Sequence, residues 1–140
     1  MTYENQIQSL LYNDTTIQSL VSNWLISTVE TYAIFNADLI PNNITTDTDT
    51  INLTVDDTTI NHYRSGNING GEIIRFTAQT VNCRSKNEYD AIALQERVHT
   101  VLNRVEVERG YFKSIMLPAI SPADDTDNFN CPLEIRVTTY

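Results

Sequence analysis

Apolar residues recur at three- and four-residue spacing along positions 4–25. Ile7, Leu10 and Leu11 open the stripe, and Ile17, Leu20, Val21, Trp24 and Leu25 repeat it. Between them lies Asn13-Asp-Thr-Thr16, a cluster that caps and bends a helix more readily than it propagates one. The pattern predicts two short helices or one kinked helix, with Asp14 or Thr15 as the second N-cap. The period then switches to two. Val29, Thr31, Ala33 and Phe35 share one face and Tyr32 and Ile34 the other, which predicts a strand over 28–35, buried in part on both sides. Pro41-Asn-Asn43 breaks it.

Residues 42–71 are rich in Thr, Asp and Asn. Ile51, Leu53 and Val55 alternate as a short strand, Asp56-Asp-Thr-Thr59 reads as its turn and Ile60 to Tyr63 as its return. Asn67-Ile-Asn-Gly-Gly71 is a strong turn signal. The segment is expected to be a long, exposed hairpin or loop with a thin apolar strip. Positions 72–84 form the best strand, with Ile74, Phe76 and Ala78 opposed to Ile73, Arg75 and Thr77. Ser85 and Glu88 then stand at capping-box spacing. Ala91, Leu94, Val98, Val101, Leu102 and Val105 make one apolar helical stripe, with Gly110 as its stop. Phe112, Ile115, Leu117 and Ile120 suggest another strand, ended by Pro118 and Pro122. Leu133, Ile135, Val137 and Thr139 alternate with Glu134, Arg136 and Thr138 as a closing strand. The order implies an α+β fold: a largely antiparallel sheet of about four to six strands with the N-terminal and middle helices packed on one face. One domain over 1–140 is expected, with a protruding hairpin or loop at 42–71.

Composition narrows the functional classes. The 41% hydrophobic content suits a globular core, and polarity comes from Asn and Thr more than from the 19% charged residues. The net charge of −9 repels phosphate backbones, which argues against a basic nucleic-acid groove. Arg97, Arg104 and Arg109 are interleaved with Glu96, Glu106 and Glu108 and read as a mixed-charge helix face and end. The opening residues lack a basic and then apolar leader pattern, so no signal peptide is expected, and no apolar run reaches bilayer length. Three Asn-x-Thr triplets, starting at Asn13, Asn43 and Asn52, fit an Asn/Thr-rich composition without an export signal. Cys83 and Cys131 are read as buried thiols, and sequence alone leaves a disulfide open.

Candidate chemistry is sparse. His99 sits beside the helical stripe, where packing or a hydrogen bond is its expected role. His62 lies in the polar hairpin region, with no second metal ligand near either histidine. Asp47-Thr-Asp49 and Asp124-Asp-Thr-Asp127 lack the glycine of a calcium loop, and the first also lacks its closing carboxylate, so both read as solvated acidic loops. Nucleophile-elbow, phosphate-loop and dinucleotide patterns do not occur. Neither a cofactor, a metal nor catalysis is expected.

The stretch from Ile74 through Val105, above all Arg75-Phe-Thr-Ala-Gln-Thr-Val-Asn-Cys-Arg-Ser-Lys-Asn-Glu-Tyr-Asp-Ala-Ile-Ala-Leu94, resembles the strand-to-helix unit of phage tail terminator proteins, also called tail completion proteins. Ala91, Leu94, Val98, Val101 and Leu102 would be its helix register. The opening helices around Ile7 to Val21 and the closing strand from Leu133 to Tyr140 are similar in order. The departures are the polar 42–71 segment, longer than expected, and Leu39-Ile-Pro41 as the one candidate for the family's early Pro-containing strand.

The resemblance implies a structural virion protein of a tailed bacteriophage, assembled in the host bacterial cytoplasm and placed in the tail-neck region. It would form a homo-oligomer, a hexameric ring that ends tail tube polymerisation and meets the head connector or stopper protein. DNA would pass through the lumen without specific binding, and no membrane is involved. A different neck ring, an adaptor or stopper, is the alternative, with a monomeric ligand-binding module behind it and a small carboxylate hydrolase last. The residues favoured for subunit or partner contacts are His62, Tyr63 and Arg64 at the tip or base of the hairpin, and Asp124, Asp125 and Asp127 facing a lumen or partner.

Overall fold

The computed structural model describes residues 3–139 apart from 27, 37–39, 42–43, 45–48, 58–60, 65–72, 77, 109 and 124–126; for 57, 61–64, 73–76 and 139 it describes the backbone. The chain opens with α1 (Tyr3–Tyr12) and α2 (Thr15–Leu20), broken at the polar cluster as expected. Asp14 is the N-cap of α2, and its Oδ2 accepts the Ile17 amide at 3.0 Å. The helical stripe does not continue to Leu25. Val21 leaves the helix with extended backbone, and Ser22 then ties the chain to Ile51. The Ser22 amide donates to the Ile51 carbonyl at 2.9 Å, and Ser22 Oγ accepts the Ile51 amide. Once Ser22 is so held, the residues beyond it form β1 (Asn23–Ile26), which pairs antiparallel with β2 (Val29–Tyr32). The strand expected over 28–35 is therefore two strands, because the backbone is redirected at Ala33 before β3 (Ile34–Asn36).

The main sheet is antiparallel except for one pair. Its order begins with β3 and β4 (Asn52–Asp57), which run parallel. It continues with β7 (Ala78–Ser85), β11 (Leu133–Thr139), β9 (Gly110–Met116) and β8 (Glu106–Val107). β10 (Phe129–Asn130) lies on the same side of β7 as β11 and in the same register with it. Pro132 has no amide to donate, so the ladder lapses there while the Cys131 amide still reaches the Cys83 carbonyl at 2.9 Å.

The 42–71 segment differs most from expectation. β4 does not turn at Asp56. It runs through Asp57 and pairs with β7 from Asn52↔Arg84 to Asp57↔Gln79, in the interior of the sheet. β5 (Asn61–Arg64) pairs with β6 (Ile73–Phe76) as a separate two-stranded ladder whose register is offset by one residue from that of β4 and β7. The two ladders follow the same pair of chain stretches and so make one long hairpin, joined through residues outside the described ones. The Asn67–Gly71 turn signal falls outside the described residues.

β7 runs through Ser85, so the capping-box reading fails by two positions. The N-cap of α3 (Glu88–Leu102) is Asn87, whose side chain accepts the Tyr89 amide at 2.9 Å, and Ser85 Oγ accepts the Asn87 amide. The helix also ends early, at Asn103. Arg104 takes φ 67°, a left-handed conformation, and its amide bonds the Phe112 carbonyl at 2.8 Å. Gly110 is not the stop; it opens β9.

The three helices among the described residues pack on one sheet face. Ile7, Leu11, Ile17, Ala91, Leu94, Val98 and Leu102 meet Leu53, Val55, Val81, Phe112, Leu133 and Ile135, every one with no exposed surface. A second small cluster of Ala33, Phe35 and Ile44, with Trp24 and Ile40 packed on it, is centred on Phe35, next along β3 after Ile34, which packs with the main core.

Candidate assembly surfaces

His62, Tyr63 and Arg64 lie in the backbone of β5, opposite Arg75, Ile74 and Ile73, so they form an arm of the long hairpin; their side chains lie outside the described residues. So do Asp124 and Asp125. Asp127 is exposed, and its Oδ1 accepts the Asn128 amide at 2.9 Å. The structure does not bring the two groups into one described site.

Two other surfaces stand out, and the sequence pattern assigned neither. The first is the β1–β2 hairpin. Leu25 is 65% exposed, Ile26 46% and Val29 66%. Leu25 lies opposite exposed Glu30, and Ile26 lies opposite Val29. In an antiparallel pair directly opposed residues share a face, so one face at the end of this hairpin is apolar, Ile26 with Val29, and the other sets Leu25 beside the acid Glu30. Its base is held by Tyr12, whose hydroxyl lies 2.8 Å from Thr31 Oγ1 and whose ring stands edge-on to Tyr32 at 5.4 Å. Trp24, Ile26, Val29, Thr31 and Tyr32 are β-branched or aromatic residues around a Ser-Thr pair, a hairpin signal. It was masked by the helical spacing from Leu20 to Leu25.

The second surface is a cleft of about 610 Å³ lined by Asn103, Arg104, Glu106, Tyr111, Lys113 and Ser114. The early helix end and the left-handed Arg104 create it, by laying 103–107 along β9. The Phe112 amide bonds the Val105 carbonyl, and the Ser114 amide bonds Asn103 Oδ1 at 3.2 Å. His99 Nδ1 lies 2.9 Å from Ser114 Oγ, the hydrogen-bonding role expected for this histidine. Lys113 lies directly opposite Arg136 on β11, and Arg136 pairs with Glu134 at 3.2 Å. Among the described residues neither Arg104 nor Lys113 makes an ion pair.

The helix-free side of β4 and β7 carries a polar network. Arg84 Nη1 donates to Thr54 Oγ1 at 2.6 Å, Asn82 Nδ2 to Asp56 Oδ2 at 2.6 Å, and Asn130 Nδ2 to Asn82 Oδ1 at 2.9 Å. Burial disfavours the Arg84 charge, and Asp56 and then Asp127 oppose that effect. Cys83 and Cys131 are free buried thiols, as expected. Burial, then Cys131, pushes the Cys83 thiol well up; burial, then Glu88, raises Cys131. Neither thiol is poised as a nucleophile. Among the described residues no group of three His, Cys, Asp or Glu side chains could hold a metal ion, and no helix is long and apolar enough to cross a membrane.

No protein-family model matches the sequence, and no curated protein does. The fold has a counterpart among solved structures. The chain is similar to one in the virion of a native gene transfer agent particle, with a TM-score of 0.52 and 13% identity over 96% of this chain and 93% of that one. The likeness therefore spans nearly the whole of both chains. At that identity it is a likeness of fold.

Proposed function

We propose that this chain is a structural protein of a tailed, phage-like particle, a ring-forming tail terminator that ends tube growth and joins the tail to the head connector. The observation that carries the reading is the fold shared, end to end, with a chain of a gene transfer agent virion. The strand-to-helix unit from β7 into α3, with Ala91, Leu94, Val98 and Leu102 buried in register, supports it from an independent side.

The physical task asked of such a protein is contact and shape. A closed ring needs two different surfaces on each copy, placed so that repetition returns to the start. The single domain supplies exposed edges and a long hairpin for this. The β5–β6 arms carrying His62, Tyr63 and Arg64 would reach a neighbour or the tube. Asp124, Asp125 and Asp127 would face the lumen or the connector, and a net charge of −9 favours passage of DNA without adhesion. Partners are further copies, the tail tube protein and the connector or stopper. No cofactor is required, and the reading is non-enzymatic.

Cryo-electron microscopy of tail tubes assembled with and without the protein tests the reading. Tubes capped at one end and limited in length are expected. Tubes that grow unchanged and carry no cap would refute it. A dodecameric ring bound to connector alone would move the chain to the adaptor role.

A further inference from the structure

The exposed hairpin and the cationic cleft lie at opposite ends of the strand order. The hairpin hangs beside β3, because Ala33, which follows β2, donates its amide to the Ser22 carbonyl and accepts that of Leu53. The cleft lies at β8 and β9, the other end of the order β3-β4-β7-β11-β9-β8. Five strand spacings of about 4.8 Å separate them, roughly 24 Å, so one chain's hairpin does not cover its own cleft.

Their chemistry is complementary. The hairpin presents Leu25, Ile26 and Val29 together with Glu30, which makes no ion pair among the described residues. The cleft presents Arg104 and Lys113, which make no ion pair among the described residues, beside the Tyr111 ring. Their methylene stems and that ring offer apolar walls, while the charged heads reach the rim. Lys113 also faces Arg136 directly across the ladder. Like charges opposed on a sheet are unfavourable unless an acid approaches. Glu134 answers Arg136 at 3.2 Å, and a docked Glu30 would supply an acid to Lys113.

We infer that the β1–β2 hairpin of one copy docks in the Arg104–Tyr111–Lys113 cleft of a second copy, with Glu30 between the two cations. The contact is head-to-tail, since donor and acceptor surfaces differ, and each added copy exposes one new cleft or hairpin until a ring closes. The inference rests on the ring reading and names the residues that would build it.

The test uses the full chain, by native mass spectrometry and sedimentation. Ile26→Asp with Val29→Asp places charges at the apolar end of the hairpin, and Lys113→Glu reverses the cleft. Each variant alone is expected to weaken self-association about thirtyfold or more. Mixed together they are expected to form heterodimers and stop there, because one partner keeps an intact cleft and the other an intact hairpin. Glu30→Lys is expected to weaken assembly and Glu30→Lys with Lys113→Glu to restore it, a control that does not depend on the doubly substituted hairpin folding. Rings that persist in all variants overturn the docking and leave the ring reading standing. A wild type that stays monomeric at every concentration overturns the docking, and the ring reading is then decided on tail tubes.

Discussion

Leu53 and Leu25 exchange roles between the sequence pattern and the fold, and this gives a sharp test. By pattern, Leu25 belongs to a buried helical stripe and Leu53 to a thin strip on an exposed hairpin. In the structure Leu53 has no exposed surface in β4, while Leu25 is 65% exposed in β1. Truncating a fully buried leucine removes transfer free energy and leaves a cavity, about 3–5 kcal/mol. Truncating an exposed one stays within about 0.5 kcal/mol. With an unfolding entropy of about 2.1 cal/mol/K per residue, a chain of 140 residues loses roughly 3–4 °C in Tm per kcal/mol. Leu53→Ala is therefore expected to lower Tm by about 10 °C or more, and Leu25→Ala by less than about 2 °C. The assay is thermal unfolding by circular dichroism, at protein concentrations low enough that Tm no longer depends on them, so that association contributes nothing. Equal losses for the two variants, or a larger loss at Leu25, would refute the placement of β1 and β4.

Further expectations follow from single contacts. Asp14→Ala should cost about 1 kcal/mol more than Asp14→Asn in urea unfolding, because Asn still caps α2. Arg97, bonded to Asp14 at 2.9 and 3.0 Å, holds its carboxyl below the usual range. The stability this adds is present above the unfolded carboxylate value of about 3.9 and fades as pH falls through the folded one, so the gap between wild type and Asp14→Asn should close in acid. Gln95 Nε2 donates to the carbonyls of Leu117 and Pro132 at 3.0 and 2.9 Å. Gln95→Leu leaves the Leu117 carbonyl without this donor, while the Pro132 carbonyl keeps the Leu117 amide at 3.0 Å, and should cost about 1–2 kcal/mol, read by the same denaturant midpoint. Cys83 should resist alkylation at pH 8 in the folded protein and react on unfolding, as followed by intact-mass spectrometry; labelling at the unfolded rate would contradict its burial.

Much of the fold was legible because period and burial agree in it. The break at Asn13–Thr16, the Ala91-Leu94-Val98 face and the alternating strand from Leu133 all carry one unambiguous spacing, whereas the residues expected as one strand over 72–84 belong to β6 and β7, in two ladders. The failures have common physical origins. Trp24 and Leu25 keep helical spacing with Leu20 and Val21, but Ser22 is bound to Ile51, a contact 29 residues away that no local pattern reveals. Asp56 and Asp57 look like a turn, yet β4 passes through them, with Asp56 bonded to Asn82. Ser85 satisfies the spacing of a capping box, but it is already the last residue of a strand. Gly110 suggested a helix stop, although non-glycine Arg104 makes the left-handed turn.

The candidate assembly surfaces are less legible than the core. Exposed apolar residues give no periodic signal, and Arg104 and Lys113 come together through the return of 103–107 along β9. His62, Tyr63 and Arg64 are distinctive residue types in a polar segment, and the fold gives them a strand backbone in the long hairpin.

Native mass spectrometry of the wild-type protein across a concentration series, with negative-stain images of the same sample, bears most directly on the central claim. A closed ring, hexameric and with a central hole, is expected, dissociating without twofold dimers as intermediates of a different symmetry. A compact monomer that also fails to form a ring on tail tubes, or a closed twofold dimer that grows no further, would contradict it.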